Sequence, residues 1–78
     1  MFTLKVFYRE TRQEEFVELD ETFKIIPIES EGEYMENLKT QFPEAIMFVV
    51  TNKYTIPVLK SANYEILNSR GNVIKTLY

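Results

Sequence analysis

Apolar and polar side chains alternate along the first stretch of the chain, which is the pattern of a half-buried β-strand. Within residues 2–9, one face carries the apolar side chains of Phe2, Leu4, Val6 and Tyr8. The opposite face is polar except for one aromatic residue, Phe7. Residues 10–13 are all polar, and residues 14–19 alternate again. These two runs predict a β-hairpin in which Phe7 is the unusual position.

Three further extended runs indicate where strands lie within a sheet. Residues 23–28 include Pro27 and residues 54–59 include Pro57. Because proline lacks the backbone N–H that a central strand donates, both runs are predicted to be edge strands. Residues 45–50 are apolar at every position. Such a run is typical of a central strand that is covered at least partly on both faces.

The end of the chain predicts a second hairpin. Residues 64–67 and 73–78 are extended runs that flank a polar loop containing Gly71. Glycine is the residue that most easily adopts the positive φ required in such a loop.

Residues 30–42 predict the only helix. Ser30 and Glu33 have the spacing of a capping box, in which each side chain accepts from the other residue's backbone N–H. A single apolar stripe follows at helical spacing, and it consists of Met35, Leu38 and Phe42. Pro43 is expected to end the helix.

Together these elements predict a single domain, residues 1–78, of the α+β class. The expected architecture is a mainly antiparallel sheet of four to six strands with one helix packed on it. A chain of 78 residues without cysteine has no disulfide to stabilise its small core, but it has six Phe and five Tyr. Large rings stabilise small cores and are also enriched at protein interfaces, so we expect docking to a larger protein to contribute to stability.

Charge and composition narrow the classes of partner and the compartment. The net charge is −3; residues 1–40 hold ten acidic and five basic side chains, and residues 41–78 hold two and four. The chain lacks the basic stripe of a nucleic-acid-binding protein, so no direct nucleic-acid partner is expected. No apolar run suits a transmembrane helix, and the N-terminus does not resemble a signal peptide. We therefore expect a cytoplasmic protein with no membrane partner.

The sequence offers little support for catalysis. Without His or Cys, it lacks the commonest general base, the strongest nucleophile and the usual zinc ligands. Its two glycines cannot form a glycine-rich phosphate loop. The adjacent acidic residues at 14–15 and 20–21 would point to opposite sides of a strand and would not converge. We predict a non-enzymatic protein with no catalytic residues, metal, cofactor or small-molecule substrate.

Phe7 is the most informative single residue for a partner-binding site. It shares the polar face of the first strand with Lys5 and Arg9, and Glu10 follows at the rim. An aromatic ring flanked by two cations is a common composition for a protein-binding hot spot. The alternative is that the helix or another strand covers Phe7. A different alternative for binding is the acid-rich segment 14–36, which could imitate DNA phosphates as in phage-encoded inhibitors of host enzymes.

The six residues Lys5-Val6-Phe7-Tyr8-Arg9-Glu10 resemble the opening strand of the RNA polymerase epsilon subunit family of low-GC Gram-positive bacteria. Arg9 stands where that family prefers Gln, and the helix region carries Glu31, Glu33 and Glu36 where the family is rich in Arg and Lys. The resemblance implies a non-catalytic accessory subunit that docks on RNA polymerase. The partner-binding residues expected from the strand are Lys5, Phe7, Arg9 and Glu10.

Overall fold

In the computed structural model, which describes residues 1–78, seven strands and one helix form three layers. In chain order the elements are β1 (Phe2–Tyr8), β2 (Glu14–Leu19), β3 (Lys24–Pro27), α1 (Glu33–Gln41), β4 (Ala45–Val50), β5 (Thr55–Leu59), β6 (Ala62–Leu67) and β7 (Val73–Thr76). A four-stranded sheet has the order β2-β1-β6-β7, and a three-stranded sheet has the order β3-β4-β5. All paired strands are antiparallel.

The predicted α+β class, with antiparallel strands and one helix, is confirmed. The strands divide between two sheets because β4 is apolar on both faces and needs a cover on each. Phe48 is fully buried toward α1, where it packs with Met35 and Leu38. Val49 is fully buried on the other side, in a core that it shares with residues of the four-stranded sheet.

The proline positions behave as the sequence predicts. Pro27 lies in β3 and Pro57 in β5, and these are the two edges of the three-stranded sheet. The C-terminal hairpin of β6 and β7 is also present, and Gly71 in its loop has a φ of 82°.

The predicted capping box is wrong. Helix α1 begins at Glu33, and its N-cap is Gly32, which forms no side-chain cap. Ser30 instead belongs to the turn after β3, where its N–H donates to the carbonyl of Pro27 at 3.1 Å. The turn takes Ser30 out of the position from which it could cap the helix. The helix ends at Gln41, before Pro43, as expected.

Polar contacts join the two sheets at one end. The Asp20 carboxylate accepts from the backbone N–H of Thr22 at 2.8 Å and from that of Asn52 at 3.1 Å. The Thr22 hydroxyl also donates to this carboxylate. That hydrogen bond has the largest effect, and together with the backbone bonds it lowers the pKa of Asp20 below its usual value of 3.8. The Tyr54 hydroxyl donates to the carbonyl of Glu18 at 2.7 Å. The β4–β5 turn is thereby fixed to the end of β2.

Candidate protein-binding face

The four-stranded sheet has one face toward the core and one face toward solvent. We call the second the outer face. The strand register places three rows of side chains across the outer face, and we call each row a rung. Each rung has one residue from β2, one from β1 and one from β6, in that order: Glu18, Thr3 and Leu67; Phe16, Lys5 and Glu65; Glu14, Phe7 and Asn63. Helix α1 packs on the three-stranded sheet instead. The expectation that the helix covers Phe7 is therefore wrong, and Phe7 is half-buried only by its neighbours on the sheet.

Three of the four predicted site residues come together on or beside this face. Lys5 and Phe7 stand on β1 at adjacent rungs, and Arg9 follows directly after the strand. Glu10 lies in the turn that leads to β2 and is exposed. The predicted site is thus one end of the outer face together with its adjoining turn.

Arg9 is held in place by contacts to the β5–β6 turn region and to the C-terminal residues. Its Nη1 donates to the carbonyl of Lys60 at 2.8 Å, and its Nη2 donates to Asn63 Oδ1 at 2.9 Å. The guanidinium also lies over the ring of Tyr78, 5.1 Å from the ring centroid, which is a cation–π distance. Arg9 is therefore a positioned cation with an aromatic ring beside it.

Lys5 occupies the centre of the outer face. Its Nζ lies 3.8 Å from Glu14 Oε1, and the opposite neighbour on β6 is Glu65. Both ions of the Lys5–Glu14 pair are partly exposed, so the pair contributes at most about 1 kcal/mol to stability. Lys5 also separates two open depressions, one beside Phe16 and one beside Phe7. Lys5 therefore lines both depressions.

Phe16 is the functional candidate that sequence reasoning missed. It is 61% exposed and stands directly across from Lys5 on β2. The signal was available, because Phe16 is the single aromatic residue on a strand face shared with Glu14 and Glu18. This is the same exception to the polar pattern that identifies Phe7. With Tyr78, which is 39% exposed, the face presents three aromatic rings.

The adjacent carboxylates of Glu14 and Glu15 point to opposite sides of β2, as predicted, whereas Asp20 and Glu21 lie in the turn after β2 and not in a strand. Glu14 reaches Lys5 on the outer face, whereas Glu15 Oε2 accepts from the Tyr8 hydroxyl at 3.0 Å. Partial burial of Tyr8, and then this hydrogen bond, raise the pKa of the Tyr8 phenol, since both disfavour the phenolate. The two carboxylates therefore serve different contacts and do not converge on one atom.

The acidic residues do not form one continuous face. Glu14 and Glu18 lie on the four-stranded sheet, whereas Glu33 and Glu36 lie on α1, on the far side of the three-stranded sheet. The Glu36 carboxylate is also 3.6 Å from Lys39 Nζ. The segment 14–36 is thus divided between two outer layers of the molecule.

No group of three or more Asp or Glu side chains is placed to hold a metal ion. Helix α1 has neither the length nor the apolar character required to span a membrane.

Comparisons of the chain with protein-family models, with curated proteins and with solved structures found no match.

Proposed function

We propose that this chain is a non-enzymatic protein-binding module and that it contacts its partner through the outer face of the four-stranded sheet. The observation that carries the proposal is an uncovered sheet face on which Phe7 and Phe16 alternate with charged side chains. Aromatic residues and arginine are the types enriched where proteins bind one another. Single exposed apolar side chains are common on proteins, but here two rings share one sheet face.

We further propose that the partner is RNA polymerase, to which the chain would bind as an accessory subunit. Support comes from the six-residue block Lys5–Glu10, which resembles the epsilon subunit family and lies in β1 and the following turn. Two residues of that block, Lys5 and Phe7, lie on the outer face. The sequence resemblance and the aromatic face therefore indicate the same strand.

The experiment is affinity capture with the tagged chain from a lysate of a low-GC Gram-positive bacterium. Wild-type chain is expected to recover polymerase subunits. Phe16→Ala removes an exposed ring from the outer face, and loss of a hot-spot ring weakens binding by about 30-fold or more. Tyr34→Ala is the matched control, because Tyr34 is similarly exposed, at 53%, but lies on α1.

The results distinguish the proposed binding face from the proposed partner. If the wild-type chain captures a protein other than polymerase and Phe16→Ala abolishes that capture, the proposed binding face is supported and RNA polymerase is refuted as the partner. If Phe16→Ala and Tyr34→Ala bind as well as wild type, the outer face is not the contact surface.

Salt dependence tests the alternative of an inhibitor that binds through its acidic residues. An acidic mimic of DNA loses affinity steeply between about 0.05 M and about 0.5 M salt, whereas an aromatic contact changes little. The separation of the acidic residues between two layers supports the aromatic face. A steep loss of captured partner with salt would favour the inhibitor.

A further inference from the structure

The two sheets have four edges, and three of them carry a proline or several carboxylates. Edges β3 and β5 contain Pro27 and Pro57. Edge β2 carries three carboxylates, those of Glu14, Glu15 and Glu18. Proline and charge are the usual means by which proteins protect sheet edges. Edge β7 has no proline and no acidic residue; it is guarded by a bulge at Ile74 and by the charge of Lys75, which an acidic strand would neutralise.

Strand β7 presents free backbone groups at this edge. The N–H of Leu77 donates to the carbonyl of Tyr64 at 2.8 Å, so at Leu77 the N–H is directed toward β6. Neighbouring residues of a strand direct their backbone groups to opposite sides, so Thr76 directs its N–H and C=O to the open side. The adjacent apolar side chains of Val73 and Ile74 are 49% and 52% exposed.

A crevice of about 440 Å³ runs beside β7, between the two sheets. Its apolar lining includes Ile46 and Met47 of β4 and Leu77, the residue that follows β7. Lys75 lines the β7 side, and Glu29 lines the other side. A strand added to β7 would direct alternate side chains into this crevice, which is how β-augmentation combines backbone affinity with side-chain specificity.

Charge identifies the chemistry of the added strand. Residues 66–78 contain Arg70 and Lys75 and no acidic residue. We propose that β7 accepts an extended segment of a partner protein as the fifth strand of the four-stranded sheet. That segment carries a carboxylate beside Lys75 and an apolar side chain in the crevice. This edge is a different surface from the outer face, and the inference does not depend on the function proposed for that face.

A second copy of the chain is a poorer occupant than an acidic segment. Antiparallel pairing of β7 with itself about a two-fold axis at Lys75 brings two Lys75 side chains together, and like charges across strands are destabilising. Pairing of β7 with β2 of another copy is head to tail and does not close.

The test is a titration of the ¹⁵N-labelled full chain with the capped peptide Asp-Thr-Val-Thr-Asp, in which the Val and both Asp side chains share one face, followed by amide NMR. Binding is expected to shift the amide signal of Thr76 and to slow its hydrogen exchange, with the Phe7 and Phe16 signals unchanged. Thr76→Pro removes the outward N–H without breaking a ladder hydrogen bond, and loss of one hydrogen bond lowers affinity by about 2- to 10-fold. Thr76→Ala is the matched control, because it keeps the N–H and is expected to keep the affinity.

A charge-reversal variant gives an independent readout if Thr76→Pro fails to fold. Lys75→Glu is expected to prefer the peptide Lys-Thr-Val-Thr-Lys over the acidic peptide. Phe7→Ala is expected to bind the acidic peptide as wild type does, which separates this edge from the outer face.

Four results would overturn the proposal. The first is no shift at Thr76 up to about 1 mM peptide, the range of weak strand addition. The second is equal affinity of Thr76→Pro and Thr76→Ala, and the third is an unchanged peptide preference in Lys75→Glu. The fourth is a shift of the Thr76 signal with protein concentration alone, which would identify a second copy as the occupant.

Discussion

Three phenylalanines in three environments give the sharpest test of which faces of this protein are covered. Phe48 is fully buried between β4 and α1, and its ring lies 6.2 Å from that of Phe42. Phe7 is half-buried on a sheet face that no other element covers. Phe16 is 61% exposed on the same face. Replacement of each by alanine is expected to destabilise the protein in that order, with Phe48 the most costly.

The magnitudes follow from burial and from what the truncation leaves behind. Phe48→Ala loses the transfer free energy of a buried ring and leaves a cavity, so it is expected to cost about 3–5 kcal/mol. Phe7→Ala leaves open surface and no cavity, so only part of the roughly 1.5–3 kcal/mol for burying a ring is lost, about 1–2 kcal/mol. Phe16→Ala is expected to stay within about 0.5 kcal/mol of wild type.

The assay is urea unfolding followed by far-UV circular dichroism, with the slope m compared between variants. A domain of this size has about 4–12 kcal/mol of stability, so Phe7→Ala remains folded, whereas Phe48→Ala loses a large fraction. An unchanged m shows that the variants unfold from the same compact state. If Phe7→Ala costs as much as Phe48→Ala, then Phe7 belongs to a core, and its role as a binding anchor is refuted.

Three further predictions concern loops and turns. Asp20→Asn removes a carboxylate that accepts hydrogen bonds from Thr22 and Asn52. Because folding lowers the pKa of Asp20, the stabilisation from its carboxylate is present above pH 3.8 and is lost as the pH falls through the lowered pKa. Urea unfolding should therefore separate the variant from wild type at pH 7 and not at acid pH. Gly71→Ala places a side chain at a φ of 82° and is expected to lower the free energy of unfolding by about 1–2 kcal/mol, with Gly71→Asn milder; equal stability of all three would contradict the positive φ. Ser30→Ala is expected to change stability by less than about 0.5 kcal/mol, whereas a loss near 1 kcal/mol would show that a capping interaction forms after all.

The order of apolar and polar residues was sufficient to predict the strands and the helix and the face that each of them buries. The alternation in residues 2–9 places Leu4 and Val6 in the core and Phe7 outside, and both placements hold in the structure. The prolines at 27 and 57 predict edges, since the missing N–H has the same effect in any sheet. These features depend on one residue and its immediate neighbours, so the sequence alone determines them.

Pairing between strands that lie far apart in the sequence could not be predicted from these patterns. Alternation shows which side chains share a face, but it does not show which strand lies alongside. The pairing of β1 with β6 joins Lys5 to Glu65, sixty positions apart in the chain, and creates most of the outer face. Ser30 shows a similar limit, because the turn that begins at Pro27 competes with the capping box and prevails.

The outer face is organised before any partner binds. A long cation such as Arg9 ordinarily loses side-chain entropy on binding, at a cost of about 0.5–1.5 kcal/mol for each immobilised side chain. Here Arg9 is already fixed by Lys60 and Asn63 and stacked on Tyr78, so that loss occurs during folding. Those contacts join the β5–β6 turn, β6 and the C-terminal residue to the end of β1, so the cation is positioned by groups of the chain itself. For the proposed protein-binding function, the alternation in β1 would locate the contact surface, and the pairing with β6 would supply the rigidity that favours binding there.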